Sequence, residues 1–179
     1  MPPSGKPFLH VGGRFFRAVS AERVAQVLDP PPAASAGRYH RPGQPALYMS
    51  PSRDWATIAV SGYIREDGRA RVVVPLVVSG AFVVDQRDEQ ACRQLGIDPE
   101  LSNRPWRPVL AAGDEPASWR NADIAREAGA DGIIDRSRQI PGGWHLNLFR
   151  WNGLGGPTVE ICGDPVAIKL SDDGPKWGL

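Results

Sequence analysis

Sulfur and imidazole are scarce in this 179-residue chain, which has two cysteines (Cys92 and Cys162) and three histidines (His10, His40 and His145). The cysteines form no CxxC and have no histidine beside them. That excludes a disulfide-stapled scaffold and a zinc ribbon, and it fits reduced, buried thiols. The histidines are far apart in sequence, so no metal site is expected. Long apolar runs are missing as well. No stretch approaches the roughly 20 uninterrupted apolar residues of a membrane helix, and the opening MPPSGKPFLHVGGRFF lacks the apolar core of a secretory signal. A cytoplasmic protein that does not engage a membrane is expected. Nor is there an excess of one charge: 21 Lys and Arg face 20 Asp and Glu, which counts against a protein that holds nucleic acid electrostatically. The glycines of GLGGP (Gly153 to Pro157) lack the following Lys-Ser of a phosphate loop.

What is present is turn chemistry, arginine and a good supply of apolar residues. Twenty glycines and 18 prolines indicate a folded chain with many turns, below the level of a low-complexity one. With 41% hydrophobic residues, the length suits one core and one domain. Arginine supplies 18 of the basic side chains, a bias that suits two-pronged phosphate recognition and equally fits a general preference for Arg codons. Residues 1–71 carry ten basic and five acidic side chains and the remainder eleven and fifteen, so the first part favours an anionic ligand.

Periodicity predicts a strand at Arg14 to Ser20 and a short helix at Ala21 to Asp29, whose Val24, Val27 and Leu28 share one face. Pro30, Pro31 and Pro32 end that helix. Ala46 to Ser50 reads as a strand, and Ser52 caps a helix with Trp55, Ile58 and Ala59 on one side. Arg71 to Asp85 is the strongest strand signal, and its Pro75 predicts an edge position or a bulge. A helix ending at Gly96 follows, then a helix at Asn121 to Ala130 and strands at Gly132 to Asp135 and Gly142 to Phe149. Trp144 and His145 read as strand residues, and TVEIC and VAIKL complete the pattern. The expectation is a single α+β domain over residues 14–170 with a β-sheet core, an N-terminal tail at 1–13 and a C-terminal tail at 171–179.

The segment GRYHRPGQPALYMSPSRDWA (Gly37 to Ala56) carries the chemistry. Arg38 and Arg41 lie in a Gly/Pro loop that leads into a strand containing Tyr48. Guanidinium groups so placed can clamp a pyrophosphate, and a tyrosine ring can stack on a planar base. The residues alone favour the plainer reading, an Arg38 that pairs with a carboxylate to hold the loop and a Tyr48 that is a half-buried strand residue. Arg17 can reach a ligand or pair internally, and His40 can touch a phosphate or lie exposed in its loop. Asp172 and Asp173 belong to a polar tail.

FFRA (Phe15 to Ala18), GRYHRPGQPALYMS and AGADGIIDRSRQIPGGWHLNLF (Ala128 to Phe149) occur in an order and spacing that resemble the RES-domain family, toxins of bacterial toxin–antitoxin pairs. The resemblance runs from about Phe15 to about Phe149. It implies a fold similar to ADP-ribosyltransferase toxins, consumption of NAD, and a cognate antitoxin partner that covers the cleft. Some members of the family hydrolyse or phosphorolyse NAD. The ParT-like branch is similar to protein ADP-ribosyltransferases that modify phosphoribosyl pyrophosphate synthetase, so transfer to a cellular protein is implied here. Carried onto this chain, the family's arginine is Arg38, its tyrosine Tyr48 and its late serine Ser137. Arg38 would hold the diphosphate, Tyr48 would pack on the nicotinamide and Ser137 would bond the nicotinamide or its ribose, with Arg17 and His40 as further contacts.

The chain departs from the family at one place. A glutamate is common in the helix after the tyrosine, but RDWATIAVSGY has no acid between Trp55 and Tyr63. Asp54, Glu66 and Asp85 are the candidates to replace it, or a different mechanism operates. An NAD glycohydrolase or phosphorylase, and an inert NAD-binding module, are the competing readings.

Overall fold

The longest strand signal becomes the backbone of the molecule. In a computed structural model that describes residues 5–170, Arg71–Asp85 forms one strand, β3, which is central rather than at an edge. Along one side it pairs antiparallel with β1 (Leu9–Ser20). Along the other it pairs parallel with β4 (Gly132–Arg136) at one end, and antiparallel with β6 (Thr158–Ile161) and β7 (Val166–Ala167) further back. Pro75 is tolerated because it falls in the gap between β6 and β7. Its backbone position lacks a donor toward that side, and its carbonyl accepts from the Cys162 N–H at 3.0 Å. The edge position expected from Pro75 is therefore replaced by an interrupted neighbour, and the irregularity in the β1–β3 ladder lies elsewhere, between Val11 and Gly13.

Beyond β4 the sheet continues through β5 (Trp144–Leu148) to β2 (Leu47–Met49). It then turns back on itself. Ser50, just after β2, exchanges both backbone hydrogen bonds with Phe16 of β1, each 2.8 Å, so the two ends of the sheet meet at a single bridge. The alternation expected for β5 holds, with Leu146 and Leu148 buried and Trp144 packed beside them. They share a core with Phe15, Leu47, Met49, Leu76 and Ile134. On the opposite face of the sheet, Tyr39, Val84, Ile133 and Phe149 pack against Cys92, Ala122 and Ala125. These last three come from α2 (Glu89–Leu95), capped by Asp88 and ended by a left-handed Gly96, and α5 (Ser118–Glu127). The short helices α3 (Pro99–Asn103) and α4 (Arg107–Ala111) lie between them in sequence. The result is one mixed α+β domain with a seven-stranded sheet. No helix among the described residues is long and apolar enough to cross a membrane.

Two expectations need correction. The segment Ala21 to Asp29 forms only a 3-10 helix at Ala21–Gln26, with Arg23 out of helical geometry and no side-chain cap from Ser20. The three prolines that follow remove the N–H groups a further α-turn would use, so the helix is never longer than its costly nucleus. Val27 is buried and Leu28 packs on the core all the same. The first strand begins at Leu9, so residues 9–13 belong to the sheet and not to a tail. The helix expected after Ser52 is α1 (Arg53–Asp67), capped by the Ser52 hydroxyl, with Ala56 buried and Trp55, Ile58 and Ala59 half-buried. The tail expected at 171–179 lies outside the described residues.

Close packing of β4 on β5 depends on Gly132. A Cβ there would meet the Asn147 carbonyl oxygen at 2.3 Å and the Leu148 Cα at 3.0 Å, both backbone atoms of the neighbouring strand. Gly132→Ala is expected to cost about 2 kcal/mol or more and to lower the thermal midpoint by roughly 4–8 °C. A denaturation scan with an unchanged midpoint would contradict this packing.

Candidate active site

The bridge between β1 and β2 forms the floor of a cleft of about 540 Å³. Its walls come from the loop before β2, from β5, from the turn after β4 and from α1, and they bring together all five residues singled out in the sequence: Arg17, Arg38, His40, Tyr48 and Ser137. Arg41 does not join them. It forms ion pairs with Asp123 at 2.7 Å and Glu115 at 3.3 Å outside the cleft.

The loop Gly37 to His40 has no regular structure of its own beyond one small bridge, so its carbonyls need outside donors. Helix α5 provides them. Ser118 Oγ donates to the Arg38 carbonyl, Trp119 Nε1 to that of Gly37 at 2.8 Å, and Arg126 to that of Tyr39 at 2.7 Å. In front, Tyr48 Oη accepts from the Tyr39 N–H at 3.0 Å and lies 2.8 Å from His40 Nδ1. A Cβ at Gly37 would come within 2.8 Å of this same His40 ring and Tyr48 hydroxyl, so only glycine fits. The Tyr48 hydroxyl is thus committed to holding the loop, and what it can offer a ligand is its ring.

Arg38 directs one guanidinium nitrogen at the carbonyls of Ser102 (2.7 Å) and Arg104 (3.0 Å). Arg17, on β1, donates to the Tyr48 carbonyl at 3.1 Å, and its Nε is buried with no partner among the described residues. Neither arginine has a carboxylate within ion-pair distance among the described residues. Burial therefore pulls both below the ordinary guanidinium value, Arg17 to about 10. They are cations held in a cleft wall without neutralisation, which favours an anionic ligand. His40 is lowered to about 4, first by burial and then by Arg126 and Arg17, so it is neutral at physiological pH. Its Nε2 is buried with no partner among the described residues. Ser137 closes its own turn, accepting from the Gln139 and Ile140 N–H groups at 3.3 and 3.1 Å, and it keeps a hydroxyl proton to donate.

The acid that lines the cleft is not one of the three the sequence offered. The part of α1 that lines the cleft presents Ala56, Ala59, Val60, Gly62 and Tyr63, none of them an acid. None of the three candidate acids lines the cleft: Asp54 is exposed, Glu66 pairs with Arg107 at 3.3 Å, and Asp85 pairs with Arg87 at 2.8 Å. The acid that does line it is Asp135, at the end of β4, only 3% exposed. Its two oxygens are fixed by Tyr39 Oη at 2.8 Å and Asn147 Nδ2 at 3.1 Å, with Arg138 at 3.6 Å. Burial first, and then the Asp135 charge, push the Tyr39 hydroxyl far above its ordinary value, so it stays a donor. Behind it Gln86, Ser102 and Asn121 continue a buried hydrogen-bonded network. The strand pattern GIID contained Asp135 as its last residue. A carboxylate on an apolar strand that enters a turn was the available signal.

Comparison with known proteins bears on the fold and the family. No curated protein matches the chain by sequence. The fold is similar to that in the crystal structure of the M. tuberculosis MbcT-MbcA toxin-antitoxin complex, with a TM-score of 0.61 over 90% of this chain and 86% of that chain, at 15% identity. A model of the RES domain matches residues 14–168. With that match spanning most of its length and every element that builds the cleft, the chain belongs to the RES-domain family.

Proposed function

We propose that this protein is the toxin of a toxin–antitoxin pair and that its cleft binds NAD and transfers the ADP-ribose group to a cellular protein. The observation that carries the reading is the pair of unneutralised guanidinium groups, Arg17 and Arg38, in one cleft with a single fixed carboxylate, Asp135. NAD has the matching charges: an anionic diphosphate, and a nicotinamide–ribose bond whose breaking leaves positive charge on the sugar. Arg38 and Arg17 bind the diphosphate. Tyr48 offers its ring to the nicotinamide, and the hydroxyl of Ser137 offers a donor to it or to its ribose, while the His40 ring, whose Nε2 is buried, packs against Tyr48 and holds the loop. Asp135, already oriented by Tyr39 and Asn147, stabilises the developing cation with no reorganisation at the moment of reaction. It takes the place of the glutamate that α1 lacks. Membership of the RES-domain family and the fold shared with a toxin–antitoxin complex support an antitoxin partner that covers the cleft.

The test is incubation of the purified protein with NAD labelled in its adenylate half, with and without cell lysate, following free nicotinamide and label on protein. Label on a lysate protein is expected. Nicotinamide release with no labelled protein would replace transfer by hydrolysis or phosphorolysis, and NAD binding with no release would leave a binding module.

A further inference from the structure

The cleft contains one more titratable pair. Ser50 is 3% exposed and anchored by its two backbone bonds to Phe16. Its Oγ lies 2.8 Å from Nδ1 of His145 on β5. His145 stands opposite Asp135 in the β4–β5 register, and all three residues line the cleft. The imidazole is therefore held at one nitrogen. The other, Nε2, has no partner among the described residues and is not closed off from solvent. Burial holds the ring below its ordinary value. Arg138 and Arg38 act in the same direction and Asp135 opposes them, so the ring is neutral near pH 7. The second histidine of the cleft differs. His40 Nδ1 lies 2.8 Å from Tyr48 Oη, and its Nε2 is buried with no partner among the described residues. His40 therefore has no free nitrogen open to the cleft, and His145 is the imidazole that has one.

We infer that His145, oriented by Ser50, is the general base for the acceptor, and that the acceptor is accordingly a hydroxyl. This rests on the NAD reading above. The bond between the ribose C1 and the nicotinamide nitrogen breaks, and its electron pair leaves with neutral nicotinamide. The acceptor oxygen forms the new bond to C1. Its proton passes to His145 Nε2, and the imidazolium returns it to solvent. Nδ1–H donates to Ser50 Oγ throughout, which keeps the lone pair on Nε2. A carboxylate acceptor would have no proton to give and no use for this base. A protein hydroxyl and water share the required chemistry.

The experiment compares the purified wild type with His145→Gln and Ser50→Ala, measuring nicotinamide release and label transfer to the lysate acceptor across pH. His145→Gln is expected to lower kcat about 100-fold with the KM for NAD little changed, and added imidazole is expected to restore part of the rate. The wild-type rate is expected to fall on acidification below the ordinary imidazole value, and the His145→Gln profile to lose that limb. Ser50→Ala is expected to lower kcat by about tenfold, the part of general-base catalysis that depends on orientation. Label on protein is expected to survive neutral hydroxylamine, and free ADP-ribose in its place would identify water as the hydroxyl source; both support the assignment. Hydroxylamine-labile label, or label recovered on Ser50 itself, would overturn it. A wild type that releases no nicotinamide brings down the NAD reading and this inference with it. A wild type that turns over at a rate His145→Gln leaves unchanged overturns the base alone.

Discussion

Arg38→Ala is expected to lower kcat/KM for NAD by about 100- to 1000-fold, with most of the loss in NAD affinity. The guanidinium is partly buried and unneutralised, so a diphosphate seated against it forms a charge-assisted pair in a poorly hydrated wall. Truncating one partner of such a pair costs roughly 2–5 kcal/mol. The fold loses less. Arg38 also ties its loop to the carbonyls of Ser102 and Arg104, and these bonds together contribute on the order of 1–2 kcal/mol, a drop of several degrees in the thermal midpoint. Arg38→Lys is expected to recover little, because one ammonium does not reproduce the planar fork that meets two carbonyls and a ligand at once. Activity and affinity that survive Arg38→Ala in a folded protein would remove the diphosphate assignment.

The second large effect is expected at Asp135. Asp135→Asn keeps the volume and leaves an acceptor for Tyr39 Oη, but it removes the negative charge facing the sugar. Loss of one preorganised electrostatic partner of a transition state typically costs about 100- to 1000-fold in kcat, and the KM for NAD should change little because the diphosphate contacts are intact. The amide places an NH2 near Asn147 Nδ2, which now donates to Asp135 at 3.1 Å, so a stability loss of about 1–3 kcal/mol accompanies the change. Asp54→Asn, Glu66→Gln and Asp85→Asn are the controls, expected to turn over NAD at close to the wild-type rate. A full rate in Asp135→Asn, or a comparable loss in one of the controls, would show that the acid lies elsewhere.

The difference between Asp135 and those three acids shows what was legible in the sequence. Arg38, Tyr48 and Ser137 stand in recognisable patterns, and the structure brings them together across a separation of about a hundred residues. The strand alternation at Trp144 to Leu148 and the cap at Ser52 rest on local periodicity and hydrogen bonding, which a sequence displays directly. Pairing between distant strands is not displayed. The central place of β3 depends on β6 and β7 leaving a gap at Pro75, which no property of Arg71 to Asp85 reveals. Asp135 reaches the cleft because β4 and β5 pair in one register and not in one shifted by a residue. The role of α5 was hidden for a similar reason. Ser118, Trp119 and Arg126 look like ordinary helix residues until they are found donating to three successive carbonyls of the arginine loop.

The central claim is that this cleft cleaves NAD, and the rate of nicotinamide release by the purified chain at pH 7, with Arg38→Ala alongside, tests it most directly. The account predicts sustained release by the wild type and a loss of at least about 100-fold in the variant. No release by a folded wild type that is free of any antitoxin, or equal release by the two proteins, would contradict it.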